Sequence, residues 1–159
     1  MKLGICVCLL MVLCLGCKAS VGSFSDDSLD LTVLSKEIDN KINSGEWDCN
    51  PLQMSNSFKD AEMIYGIDET LCEEILIRRA IMDAACEEIV LVRSKENHQQ
   101  DVIKRLQEYQ QDRLGAFDKL PNQQEQVKQA QIVSYGNYVV FVCSNDRANV
   151  LQYMRSLTE

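Results

Sequence analysis

The hydrophobic positions along this chain change period several times, and each change marks an element. Leu31, Leu34, Ile38 and Ile42 recur at helical spacing, which predicts a helix from about Ser28 to Ser44. Asp26, Asp27 and Asp30 favour its amino end through the helix dipole, and Gly45 stops it. A loop with Trp47, Cys49 and Pro51 follows, and Lys59 to Tyr65 reads as one or two helical turns ended by Gly66. The apolar pattern then becomes continuous. Cys72 to Ile81 is rich in isoleucine and leucine, and Cys86 to Arg93 carries Ile89, Val90, Leu91 and Val92. The short Met82-Asp83-Ala84-Ala85 link predicts an antiparallel pair. Neither run alternates cleanly, which implies burial on both faces or helix cover on one.

Helical spacing returns from about Asn97 to Phe117, where Val102, Ile103, Leu106, Tyr109 and Phe117 form the inward face. Pro121 opens a short polar helix through about Ala130. Glutamines crowd the stretch from Gln99 to Gln131, and they read as a neutral, solvated helix face. Gln131 to Tyr135 and Tyr138 to Cys143 are strands, with Gly136-Asn137 as a two-residue hairpin turn. Asn145 or Asp146 caps a last helix with Val150, Leu151, Met154 and Leu157 inward. The predicted order is helix, strand, strand, helix, strand, strand, helix. Two hairpins around a helix define an α+β fold: a four-stranded, mainly antiparallel sheet with helices packed on one face.

Met1 to Cys17 stands outside this pattern. Lys2 gives one positive charge, an apolar run from Leu3 to Leu15 follows, and Gly16 and Cys17 close it ahead of Lys18. This is the layout of a secretory signal peptide, with an apolar run shorter than the roughly 20 residues a bilayer span needs. Residues 1–16 therefore read as the signal peptide, Cys17 as a lipid-carrying residue after the cut, residues 17–27 as a flexible tether, and residues 28–159 as one domain. Two or more acyl chains on Cys17 hold a protein firmly, since each buried methylene contributes about 0.8 kcal/mol.

The formal net charge of −8 becomes −9 once Lys2 is removed with the leader, and the sequence pI is near 4.7. This balance argues against nucleic-acid binding, which needs a basic face, and against electrostatic adhesion to anionic lipid. Of the eight cysteines, Cys6, Cys8 and Cys14 fall in the leader and Cys17 at its end. Cys49, Cys72, Cys86 and Cys143 remain. Four cysteines allow three pairings, and sequence does not choose among them; small apolar free thiols are the other reading. The mature chain has no Cys-x-x-Cys, so zinc and redox-motif readings have little support.

Tyr65-Gly66-Ile67-Asp68, Glu87-Glu88-Ile89-Val90 and Gly136-Asn137-Tyr138-Val139-Val140 occur in this order. Together they resemble a family of bacterial lipoproteins built on one domain of unknown function, found mainly in Gram-positive anaerobes. The resemblance covers roughly Leu31 to Thr158. It implies an exported, lipid-anchored α+β domain and no catalytic residues. The usual lipobox is Leu, then Ala or Ser, then Gly, then Cys. Here it is Cys14-Leu15-Gly16-Cys17, which fits at Gly16 and Cys17 and departs at Cys14 and Leu15.

Candidate chemistry is sparse. His98, the single histidine, opens the long helix and reads as a solvated first-turn residue; no Gly-x-Ser-x-Gly is present for it to serve. Glu73-Glu74 and Glu87-Glu88 each adjoin a strand. Two carboxylates about 5–9 Å apart can perform acid/base work on a glycoside, although adjacent strand residues face opposite sides. The plainer reading is charge that guards strand ends against edge pairing. Gly66 serves a backbone turn, Asp68 caps the next one, and Tyr135 and Tyr138 form a cross-strand pair. Cys17 is thus the one residue with an assigned chemical role, lipid attachment. No catalytic, cofactor or metal residue is assigned. The expected protein is a lipid-anchored, extracytoplasmic, non-catalytic binding or accessory module, held to the membrane through Cys17 and serving an envelope protein partner. The alternatives are an envelope hydrolase using acidic residues near Glu74 and Glu88, and a secreted, soluble, disulfide-stabilised protein.

Overall fold

The run Glu88–Ser94 has no polar face because it forms the middle of a sheet covered on both sides. A computed structural model describes residues 29–82 and 84–158. The leader, Cys17, the tether and its Asp26 and Asp27 lie outside those residues. The elements run α1 (Leu31–Asn43), β1 (Leu52–Ser55), α2 (Phe58–Tyr65), β2 (Cys72–Ala80), β3 (Glu88–Ser94), α3 (Gln99–Ala116), α4 (Pro121–Lys128), β4 (Gln131–Tyr135), β5 (Tyr138–Cys143) and α5 (Arg147–Thr158). The strands order as β1-β2-β3-β5-β4, with every neighbouring pair antiparallel.

This corrects the expected fold in two respects. The sheet has five strands, because β1 pairs with β2 from Leu52↔Ala80 to Ser55↔Ile77. Only Leu52 of β1 is buried, so this edge strand carries too little apolar pattern to separate from a loop. The helices also lie on both faces. On one face Ile75, Ile77, Val90, Val92, Val139 and Phe141 pack under α2, α3 and α4. On the other, Leu76, Ile89, Leu91, Val140 and Val142 meet α1 and α5. Alternate residues of β2, β3 and β5 thus feed two separate cores, so the middles of these strands are apolar without alternation.

Local chemistry sets the ends. The Asp30 carboxylate accepts from the Thr32 and Val33 N–H groups at 2.9 and 3.0 Å, capping α1. Gly66 ends α2 at φ 65°, ψ 27°, a left-handed conformation that costs other residues energy. The hairpin turn at Gly136-Asn137 sets Tyr135 opposite Tyr138. Arg78, 3% exposed, fastens α1 to the sheet: it donates to Ser35 Oγ at 2.9 Å and Leu52 O at 2.7 Å, and pairs with Asp39. The glutamines are not simply a solvated face. Gln110 donates to Val127 O at 2.8 Å, Gln124 to Leu114 O at 3.0 Å, and Gln123 accepts from the Cys86 N–H at 2.9 Å. They tie α3, α4 and the start of β3 together.

Candidate functional site

Glu88 begins β3 at a point where the register places Arg79 on one side and Cys143 on the other. It is 1% exposed, which is costly for a carboxyl unless donors surround it. They do. The Tyr65 hydroxyl donates to Oε1, the Tyr109 hydroxyl donates to Oε2 at 2.7 Å, and Arg79 Nε stands 3.0 Å from Oε1. Each donor arrives for a local reason. Tyr65 is the last residue of α2, aimed inward by the Gly66 cap. Tyr109 lies on the inward stripe of α3 with Val102 and Leu106. Arg79 is the strand partner of Glu88.

The two phenol rings meet edge-on with centroids 4.6 Å apart, and Tyr109 also meets Phe141 edge-on at 5.9 Å. The Arg113 guanidinium, one turn beyond Tyr109, lies over the Phe117 ring at 4.5 Å. Burial raises the Glu88 carboxyl above its ordinary range, against the Tyr65 hydrogen bond, the Arg79 charge and the Tyr109 hydrogen bond. Burial and then the Glu88 charge raise both phenols. A cavity of about 60 Å³ adjoins the cluster, lined by Arg79, Ala80, Met82, Ala85, Glu87 and Arg113, with room for a few water-sized groups. The arrangement holds one carboxyl inside the protein and connects it to the surface through Arg79.

The sequence candidates are distributed differently. Glu74 pairs with Arg93 and Glu88 with Arg79, five steps apart along the ladder, or about 17 Å. The structure therefore does not bring Glu74 and Glu88 together. A bulge between Cys72 and Glu74 breaks the alternation, so Glu73 and Glu74 both reach one guanidinium, that of Arg93, at 2.8 and 3.1 Å. Glu87 accepts from Asn50 at 2.8 Å, and its other oxygen is buried without a partner among the described residues. Glu88 guards no edge; it is buried at the start of the central strand. His98 precedes α3, with Nδ1 3.0 Å from Asp101. Asp68 accepts from the Thr70 N–H at 2.8 Å, and bonds to Thr70 lower its carboxyl. The Tyr138 hydroxyl accepts from the Leu29 N–H at 3.0 Å, which turns it inward.

The role of Tyr65 and the convergence of Tyr109 and Arg79 were missed. The available signal was charge complementarity: Arg78-Arg79 and Glu87-Glu88 sit at the facing ends of the two strands joined by the short Met82–Ala85 link. Among the described residues no group of His, Cys, Asp and Glu is placed to hold a metal ion, and no helix is long and apolar enough to cross a membrane.

The fold and the buried carboxyl cluster define an α+β domain with a five-stranded antiparallel sheet between two helical layers. The chain belongs to a family described as a domain of unknown function, DUF4358, whose model matches residues 45–144. That span holds all five strands and the Glu88, Tyr65, Tyr109 and Arg79 cluster. No curated protein and no solved structure matches the chain.

Proposed function

We propose that this chain is a lipid-anchored, extracytoplasmic domain acting as a non-catalytic binding or accessory module at the cell envelope. The observation that carries the reading is the leader: Lys2, the apolar run Leu3 to Leu15, and Gly16-Cys17 directly ahead of a polar tether. The fold gives the reading a direction. The Leu29 N–H bonds the Tyr138 hydroxyl, at the end of the sheet where Arg93 pairs with Tyr138 and Glu74. Leu29, the first described residue, lies at that end. The β2–β3 turn, with Ile81 and Met82 about 60% exposed, lies at the far end, roughly 20 Å along β2. A membrane-attached domain entered from one end presents the other to a partner. The distance between Glu74 and Glu88 gives the acidic hydrolase no support from that pair.

The test is the mature amino terminus. In cells making the full chain, the domain is expected in the membrane fraction with a diacylated Cys17, and Cys17→Ala moves it to the soluble fraction or medium. An unmodified terminus elsewhere refutes the anchor. Crosslinking on intact cells tests the partner: a defined adduct lost on Ile81→Asp or Met82→Asp is expected, and adducts unaffected by both refute this face.

A further inference from the structure

The Arg113 guanidinium lacks an acceptor. It is half-buried on α3, over the Phe117 ring at 4.5 Å and the Tyr109 ring at 5.9 Å. Among the described residues it makes ring contacts alone, with no hydrogen bond or ion pair. The carboxyls nearby are engaged elsewhere. Glu88 is bonded by Tyr65, Tyr109 and Arg79, and Glu87 by Asn50. A cation drawn partly out of water with no acceptor is unfavourable unless a ligand supplies one.

Arg113 lines the cavity of about 60 Å³ beside the β2–β3 turn, together with Arg79, Met82, Ala85 and Glu87. The space holds a few water-sized groups, which is the size of one carboxylate. Met82 is 60% exposed, so the cavity opens at the surface of the turn, next to Ile81 at 63%. Two guanidiniums thus line a small recess with an apolar rim. The edge of a guanidinium offers two parallel N–H groups that match the two oxygens of a carboxylate, while its face stays on the rings. Glu87 on the same wall limits the charge admitted. Arg113 offsets one negative charge, whereas a second meets the Glu87 carboxylate uncompensated.

We propose that this recess binds one carboxylate of the protein partner, held fork to fork by Arg113, with an apolar side chain of that partner resting on Ile81 and Met82. The inference rests on the reading of the β2–β3 turn as the partner face, and it names the chemistry that face recognises: a single carboxylate adjoining an apolar group.

The test uses the chain purified from cells making the full sequence, at about pH 8 and fixed ionic strength, with N-acetylleucine as the probe. This probe carries one carboxylate and an apolar side chain. N-acetylleucinamide has the side chain alone, and inorganic phosphate is a dianion. At about ten times its dissociation constant, N-acetylleucine is expected to raise Tm by about 3–5 °C, with no shift from the amide or from phosphate. Arg113→Gln is expected to abolish the shift. If that variant does not fold, Arg113→Lys, which keeps the charge without the fork, is expected to weaken binding about tenfold. No shift with N-acetylleucine, an equal shift with the amide or phosphate, or a shift unchanged by the Arg113 variants overturns the proposal. On intact cells Arg113→Gln is expected to remove the same crosslinked adduct as Ile81→Asp. An adduct lost on Ile81→Asp but kept on Arg113→Gln overturns the carboxylate site and leaves the partner face standing. N-acetylleucine binding lost on Arg113→Gln, with cellular adducts indifferent to Ile81→Asp and Met82→Asp, supports the site and refutes the partner face.

Discussion

Glu88→Ala removes the one acceptor that two buried hydroxyls share. Tyr65 and Tyr109 are 4% and 9% exposed, so both O–H groups lose a partner where water does not readily replace it. Each orphaned hydroxyl costs about 1–3 kcal/mol. Arg79, a third exposed, returns to solvent at small cost. Breaking a buried ionic pair by removing one member typically costs about 3–5 kcal/mol, consistent with that sum. The expected loss is therefore about 3–5 kcal/mol, or roughly 10–15 °C in Tm for a domain of this size, read by urea and thermal unfolding followed by circular dichroism. Glu88→Gln keeps the shape and one acceptor, and costs about 1 kcal/mol at neutral pH. The pH dependence separates charge from packing. Burial raises the Glu88 carboxyl above its ordinary value of 4.5, so the folded state holds this proton more tightly than the unfolded chain. Its stabilising contribution is full below about 4.5 and is lost as pH rises through the folded value. Gln does not titrate, so the wild-type advantage over Glu88→Gln shrinks as pH rises. A Glu88→Ala loss below 1 kcal/mol, or a Glu88→Gln difference flat from pH 4 to 8, refutes the cluster as described.

Three further outcomes follow from the same geometry. Arg78→Ala leaves Leu52 O without its side-chain donor and frees α1; a loss of about 2–4 kcal/mol with faster hydrogen exchange in α1 is expected, and unchanged exchange there refutes the anchoring role. Gly66→Ala places a Cβ only 3.6 Å from the Arg105 side chain, an ordinary contact, so its cost is conformational, about 1–2 kcal/mol by denaturant unfolding. Asp30→Ala removes the acceptor for two N–H groups at the start of α1 and costs about 1 kcal/mol, and a neutral result shows that the cap is replaced by water.

Much of the chain is legible because its signals are local. The stripe Leu34, Ile38 and the Gly45 stop specify α1, the inward Val102, Leu106 and Tyr109 specify α3, and Gly136-Asn137 specifies the β4–β5 hairpin with its register. Each depends on residues within a turn or two of one another, where backbone geometry alone relates them. The leader Met1 to Cys17 is likewise a continuous pattern.

The remaining features depend on contacts between segments distant in sequence. β1 is a strand because β2 offers an open edge, a property of β2. The apolar run in β3 is compatible with one covered face or two, and the packing of α1 and α5 opposite α2, α3 and α4 selects two. Glu88 looks like a strand-end charge until Tyr65, Tyr109 and Arg79 converge on it from three elements. Periodicity specifies which residues turn inward, whereas the partner each meets inside is decided by the order of strands in the sheet.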